Sequence, residues 1–395
     1  MITTAPARRP AYAGRAAATG VGYTDFTAPG GRSVLDLALE ASRSALADAG
    51  LTPADVDGIC SFGLFNDSVA CQAVATGLGC DDLSYVLDLN NGGSQPAFAL
   101  LNAAMAVASG MANTVIVYRA LNGRSGKKVG STRFEAPSSQ FRYPIGLSAY
   151  PQYIALWARR FMIETGATEE DLAAVVLAQR EYSALNERAV RRDPMTLEQY
   201  FSRGYVVEPF RTVDCTVEVD AAVAVVVTST ERARDLAVPP AVIEGGAWVT
   251  GRGSGLDVAD LHNWPDFSRN CQHLLAPRLW ASAGIGPAEV DVAEIYDCFS
   301  PAVLYGLEAL GFVERGGAAE FVRSGQTSLT GALPTNTHGG LLNEGYVHGM
   351  NTVTEAVLQA QGRGGARQVP RARVVVATSG VLVDGSAIVF RNGES

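Results

Sequence analysis

Three short stretches concentrate the side chains able to do chemistry. EIYDCFS (294–300) carries Glu294, Tyr296, Asp297 and Cys298, and NTHGGLLNEGYVHGMN (336–351) carries Asn336, His338, Tyr346 and His348 among Gly339, Gly340, Gly345 and Gly349. The third is the Gly-rich turn NNGGS (90–94), just ahead of the helix-like FALLNAAMAVASG (98–110). Turn amides at Gly92 and Gly93, at a helix N-terminus, suit an oxyanion. Tyrosine, with a reference pKa near 10, is a ready neutral donor but needs a nearby charge or dipole to act as a base. Ser94 is a conceivable nucleophile, yet neither an HxxxS elbow nor a partner acid accompanies it. The six cysteines (60, 71, 80, 215, 271, 298) form no CxxC pair and the four histidines (262, 273, 338, 348) fall in no zinc spacing, so no metal site is expected. Such unpaired thiols fit a reducing cytoplasm.

Stepping outward to the elements, SVLDLALEASRSALADA (33–49) has helical spacing behind a Ser33 N-cap, with Gly50 as its stop. Gly58 to Phe65 reads as a strand or strand end. SYVLDL (84–89), the NNGGS turn, the following helix and TVIVY (114–118) then make a βαβ unit, which demands a parallel or mixed sheet. AGLTPADVD (49–57) returns as AGIGPAEVD (283–291), each between a helix and a strand, and NTVIVYRALNG (113–123) corresponds to ARVVVATSGVL (372–382). The chain therefore reads as two duplicated α/β halves, 1–240 and 241–395. Residues 121–215 match neither half and read as a mainly helical insertion, placed to cover a site or carry an interface.

The chain has 395 residues and 47% hydrophobic content, enough for a large core and too apolar for disorder. A net charge of −9 argues against nucleic acid or an anionic membrane as partner. No apolar run approaches the roughly 20 residues of a membrane span, and the N-terminus lacks a signal-peptide apolar region. The only lysines, Lys127 and Lys128, stand in RALNGRSGKKVGSTRFE (119–135) with Arg119, Arg124 and Arg133. This basic run reads as a solvated loop, a contact for phosphates or a partner-facing loop.

With these motifs in this order, the chain resembles the thiolase superfamily, in the branch of the sterol carrier protein X thiolases. Where that branch looks like EVHDCFS and NxxGGxxxxGHPxG, this chain has tyrosine at both histidine positions, Tyr296 and Tyr346. A thiolase also needs a cysteine nucleophile in the turn where Gly92 and Gly93 stand, and a second cysteine where ATSGVLVDGSA (377–387) has Thr378 or Ser379. Lacking both thiols and carrying two phenols, the chain is similar to the thiolase-like aldolases of bacterial sterol side-chain degradation, many of them called lipid-transfer proteins.

The resemblance implies a layered αβαβα thiolase fold and a carbon–carbon lyase. Its reaction would be retro-aldol cleavage of a β-hydroxyacyl-CoA, a 17-hydroxy steroid side-chain ester, to a 17-ketosteroid and propionyl-CoA. Tyr296 and Tyr346 would share the proton work, either one as base, with His348, Asn336, Gly92 and Gly93 in support. Cys298 is expected to be a packing residue. No cofactor is expected, CoA being part of the substrate. A cytoplasmic homodimer bound to a small OB-fold partner with a zinc ribbon is implied as well. The competing readings are a thiolase-type acyltransferase with an unforeseen nucleophile and a non-catalytic acyl-CoA-binding scaffold.

Overall fold

The computed structural model describes residues 9–26, 30–126, 128, 136–251, 264, 266, 268–370 and 372–393; Lys127, Arg133 and His262 lie outside them. Its strands are β1 (Ala16–Tyr23), β2 (Gly58–Gly63), β3 (Tyr85–Asn90), β4 (Thr114–Asn122), β5 (Tyr205–Val207), β6 (Phe210–Arg211), β7 (Asp220–Ser229), β8 (Ala241–Thr250), β9 (Val292–Glu294), β10 (Val374–Ser379) and β11 (Asp384–Asn392). Nine of them form one mixed sheet in the order β3-β2-β4-β7-β1-β8-β11-β10-β9.

The order is symmetric about the junction of β1 and β8, which pair only at Ala17↔Val242 and Ala18↔Ala241. On one side β7 runs antiparallel to both β1 and β4, and β2 is parallel to β4 and β3. On the other, β11 runs antiparallel to both β8 and β10, and β9 is parallel to β10. Beside β9 the counterpart of β3 shrinks to a single bridge, Ala293↔Thr335, which sets the next residue, Asn336, against the end of β9.

The repeated nonapeptide does the same mechanical work in each half. Gly50 and Gly284 end helices Val34–Ala49 and Cys271–Ala283 at φ +73° and +70°, a conformation glycine adopts without strain. Asp55 accepts from the Thr52 amide at 3.0 Å, as Glu289 does from Gly286 at 2.8 Å. Asp57 then takes the amides of Asn113 and Thr114 at the start of β4, both at 2.8 Å, and Asp291 those of Arg373 and Val374 at the start of β10, both at 2.9 Å. Each aspartate staples its repeat to the strand that pairs in parallel with the one following it.

Burial sorts the helices into layers. Every residue of Met350–Ala360 is buried, as are most of the apolar Pro96–Ser109. Both touch strands of either half, so they form the middle layer. Val34–Ala49 packs on β1, β4 and β7 and Cys271–Ala283 on β8 and β11 as outer layers, completing αβαβα. Between 136 and 215 lie helices Ser139–Arg142, Tyr150–Thr165, Glu169–Ala184 and Leu197–Phe201 and the β5–β6 hairpin. Among the described residues no helix is long and apolar enough to cross a membrane.

Candidate active site

The halves and the helical segment meet at one cavity of about 120 Å³. Leu64 and the turn Asn91–Ser94 come from the first half, Tyr150 and Ile154 from helix Tyr150–Thr165, and Thr216 from the chain entering β7. Tyr296, Cys298, Phe299, Tyr346, His348, Gly380, Val381, Leu382 and Asp384 come from the second half. Its walls are mainly apolar side chains with a few polar groups, a lining that suits an apolar ligand with a polar reacting end.

Tyr296 and Tyr346 meet there, their hydroxyl oxygens 2.6 Å apart and their rings inclined at 62°. Tyr296 follows β9 directly. Its amide donates to Thr378 Oγ1 on β10 at 2.9 Å, and the amide of Ile295 donates to Asn336 Oδ1 at 2.6 Å. Tyr346 is held by its amide on the Val217 carbonyl at 2.8 Å. Burial pushes both phenols above the ordinary tyrosine range, each helped by a neighbour, Tyr346 for the first and Cys298 for the second. Both are therefore neutral near pH 7.

Gly93 makes room for this pair: a Cβ there would stand 2.0 Å from the Tyr296 hydroxyl oxygen. The phenol occupies the volume a side chain at 93 would need, so a cysteine at this position and a tyrosine at 296 exclude each other. The helix amides behind the turn are already engaged. Ala97 N–H donates to Ser379 Oγ at 3.1 Å and Phe98 N–H to Ser386 Oγ at 3.2 Å, leaving the Gly92–Ser94 turn to face the cavity.

Of the residues expected from sequence, Tyr296, Tyr346, His348, Gly92 and Gly93 line the cavity together. Asn336 does not; it is wholly buried behind, bracing the backbone that presents Tyr296. Thr378 and Ser379 likewise spend their hydroxyls on backbone amides, and Gly380 is what faces the cavity. Cys298 reaches the cavity wall, where burial raises its thiol far above the range of a reactive thiolate.

Two expectations are corrected. Ser94 does have a partner acid: its Oγ donates to Asp384 Oδ2 at 2.9 Å, while Gln95 Nε2 donates to it at 3.0 Å. Burial raises the Asp384 carboxyl, opposed by the Ser94 bond. Asp384 lies 290 positions away, so nothing local announced the pair. Arg119 is no member of a surface basic run but is fully buried, with Nη2 on Asp67 Oδ2 and on His348 Nδ1. A cation inside the apolar strand TVIVYRAL was the available signal. Lys128 is exposed, 3.5 Å from Glu218, and Lys127 lies outside the described residues.

A family profile described as "Thiolase C-terminal domain-like" matches residues 253–392. The 17-hydroxy-3-oxo-4-pregnene-20-carboxyl-CoA lyase of Mycobacterium tuberculosis is 39% identical across 95% of this chain and 99% of its own length. The steroid side-chain-cleaving aldolase of Thermomonospora curvata is 39% identical across 95% of this chain and 98% of its own. The solved structure titled "Ltp2-ChsH2(DUF35) aldolase" superposes with a TM-score of 0.91 at 38% identity, covering 98% of this chain and 100% of that one.

Proposed function

The chain belongs to the thiolase superfamily, among its steroid side-chain-cleaving aldolases, and on that premise we propose that Tyr296 and Tyr346 form a neutral proton relay for retro-aldol cleavage of a β-hydroxyacyl-CoA. The enzyme is a carbon–carbon lyase. Its substrate is a steroid side-chain thioester with a tertiary 17-hydroxyl, of the kind named for the mycobacterial relative. Cleavage yields a 17-ketosteroid and propionyl-CoA.

The reaction moves one proton and one electron pair. As the bond between the hydroxyl-bearing carbon and the α-carbon breaks, its electrons enter the thioester as an enolate and the hydroxyl becomes the ketone. One phenol takes the hydroxyl proton while passing its own across the 2.6 Å contact, and the second phenol delivers its proton to the α-carbon. Both tyrosines end neutral, so the relay never requires the phenolate that burial disfavours. It needs no cofactor, and CoA enters only as part of the substrate. His348 and the Gly92–Ser94 turn supply hydrogen-bond donors on the enolate side.

The observation that carries this reading is the phenol pair standing where a side chain at position 93 would collide with it. A homodimer is supported by β3, an edge strand with exposed Val86, next to exposed Met111 whose carbonyl accepts from Ser84. A small OB-fold, zinc-ribbon partner is supported by the two-protein title of the solved relative. Six free cysteines support a cytoplasmic location.

The test is incubation of the protein, alone and with its partner, with the 17-hydroxy steroid-CoA. Ketone and propionyl-CoA are expected in equal amounts, the latter carrying one deuterium at the α-carbon in D2O. Dependence on free CoA, or a thioester trapped on the protein, would establish the acyltransferase instead. Tight acyl-CoA binding without turnover would establish a scaffold.

A further inference from the structure

Behind His348 lies a charged pair with no part in the relay. Arg119, on β4, has no solvent exposure. Its Nη2 stands 2.7 Å and its Nε 3.2 Å from His348 Nδ1, Nη2 also donates to Asp67 Oδ2 at 2.6 Å, and Nη1 donates to the Ala120 carbonyl at 2.8 Å. The guanidinium rests 5.5 Å from the centre of the Phe62 ring, which fixes its plane.

A guanidinium holds only donors and keeps its protons in proteins. His348 Nδ1 must therefore present its lone pair, and a neutral imidazole so arranged carries its proton on Nε2. Nε2 is buried without a hydrogen-bond partner, on a residue that lines the cavity. The backbone holds the ring there at φ +51°, a left-handed conformation that is strained outside glycine. The groups facing the ring are Arg119, Asp67 with Oδ2 3.9 Å from Nδ1, and Tyr346, whose ring centre is 5.0 Å away. Burial, and then the charge of Arg119, push the imidazole well below its ordinary pKa.

We infer that Arg119 and Asp67 are a positioning pair that locks His348 as a neutral Nε2–H donor to the thioester oxygen of the bound acyl-CoA. That oxygen gains charge as the carbon–carbon bond breaks, so the donor binds the transition state more strongly than the substrate. The identity of the acceptor rests on the retro-aldol reading; the tautomer does not. Arg119 keeps its charge one residue removed from the cavity, where it polarises the imidazole without forming an ion pair with the substrate.

With only four histidines in the chain, ring-15N histidine labelling reads the tautomer directly. The wild type is expected to show His348 protonated at Nε2 and bare at Nδ1, unchanged from about pH 5.5 to 8. Arg119→Met is expected to let His348 titrate or mix tautomers and to lower kcat about 100-fold at nearly constant KM, the size of losing one oxyanion donor. Arg119→Lys, with a donor still able to reach Nδ1, should restore the tautomer and part of the rate. It carries the test should the Met variant not fold. A proton on Nδ1 in the wild type, or an Arg119→Met enzyme with unaltered tautomer and kcat, overturns the pair. A His348→Phe enzyme with full kcat overturns the donor role. The expected tautomer in a protein that performs no retro-aldol cleavage would instead sink the reaction assigned above.

Discussion

Glu294 and Tyr296 are two residues apart, and His338 and His348 belong to one Gly-rich segment, yet they divide between two buried clusters, one neutral and one ionic. In the first, around the cavity, the groups are neutral: two phenols bonded to each other and the imidazole of His348, which faces a cation. In the second, none of Glu294, His338, Thr337, Glu344, Glu355, Arg188 or Arg367 lines the cavity. There the charges are chained. His338 Nδ1 lies 3.0 Å from Glu294, and Arg367 grips Glu355 with two bonds of 2.9 Å. Arg188 lies 3.2 Å from Glu344 and 3.7 Å from Glu355. Thr337 Oγ1 sits 2.7 Å from Glu294 and 2.8 Å from Glu355, joining the two acids.

The two histidines show the difference in opposite directions. Burial alone would lower both. For His338 the bond to Glu294 and the charges of Glu344 and Glu355 win, and the pKa rises to about 9. For His348 the neighbour is a cation, and the pKa falls further. Nε2 of both rings is buried without a hydrogen-bond partner, so charge and place separate them: His338 stands against carboxylates away from the cavity, and His348 stands neutral against a cation on the cavity wall. Residue type does not separate them, whereas the charge of the partner does.

The sharpest way to break this contrast is to remove one phenolic oxygen. Tyr296→Phe and Tyr346→Phe are each expected to cost about 10- to 1000-fold in kcat, with the fold intact by circular dichroism. Full turnover in either variant would remove that tyrosine from the relay. Next in size is Glu355→Gln, which leaves Arg367 and Arg188 short of a charge in the second cluster. Urea unfolding is expected to show a loss of about 3 kcal/mol, the scale of breaking a buried pair, while kcat per folded molecule changes less than about twofold. A collapse of kcat at unchanged stability would mean that the clusters are not separate.

The smallest effect is on pH. His338 has its folded pKa raised above the unfolded value near 6.5. Its contribution is complete below that value and disappears as pH climbs through about 9. His348, with a depressed pKa, acts oppositely and destabilises the fold as pH falls below about 6.5. Thermal melts should therefore show Tm falling by a few degrees between about pH 7 and 10, and His338→Gln should flatten that alkaline limb and spare the acid one. An alkaline limb of wild-type slope in the variant would show that His338 is not paired as described.

Much of the site was legible because its parts are local. The motifs around Tyr296 and Tyr346, and glycine where a nucleophile would stand, are visible in the string, and the repeated nonapeptide announces the paired halves through its capping and stapling side chains. What escaped was decided by contacts across the chain. Asp384 reaches Ser94, and Arg119 reaches His348 from 229 positions away. Asn336, read as part of the site, turned out to brace it, because its Oδ1 is consumed by the Ile295 amide.

The resemblance carried by the motifs supplied the layered fold and the two positions lacking a thiol; by itself the sequence determined two α/β halves on a parallel or mixed sheet and two phenols in their motifs. These follow from periodicity, turn chemistry and residue identity, which are properties of neighbouring positions. Only the tertiary structure decided that the phenols touch, that Tyr296 fills the space above Gly93, and that one histidine of the Gly-rich segment is scaffold while the other faces the cavity. Those outcomes depend on which charge stands against which buried group, and that is settled when β4, β9 and the Gly-rich segment converge.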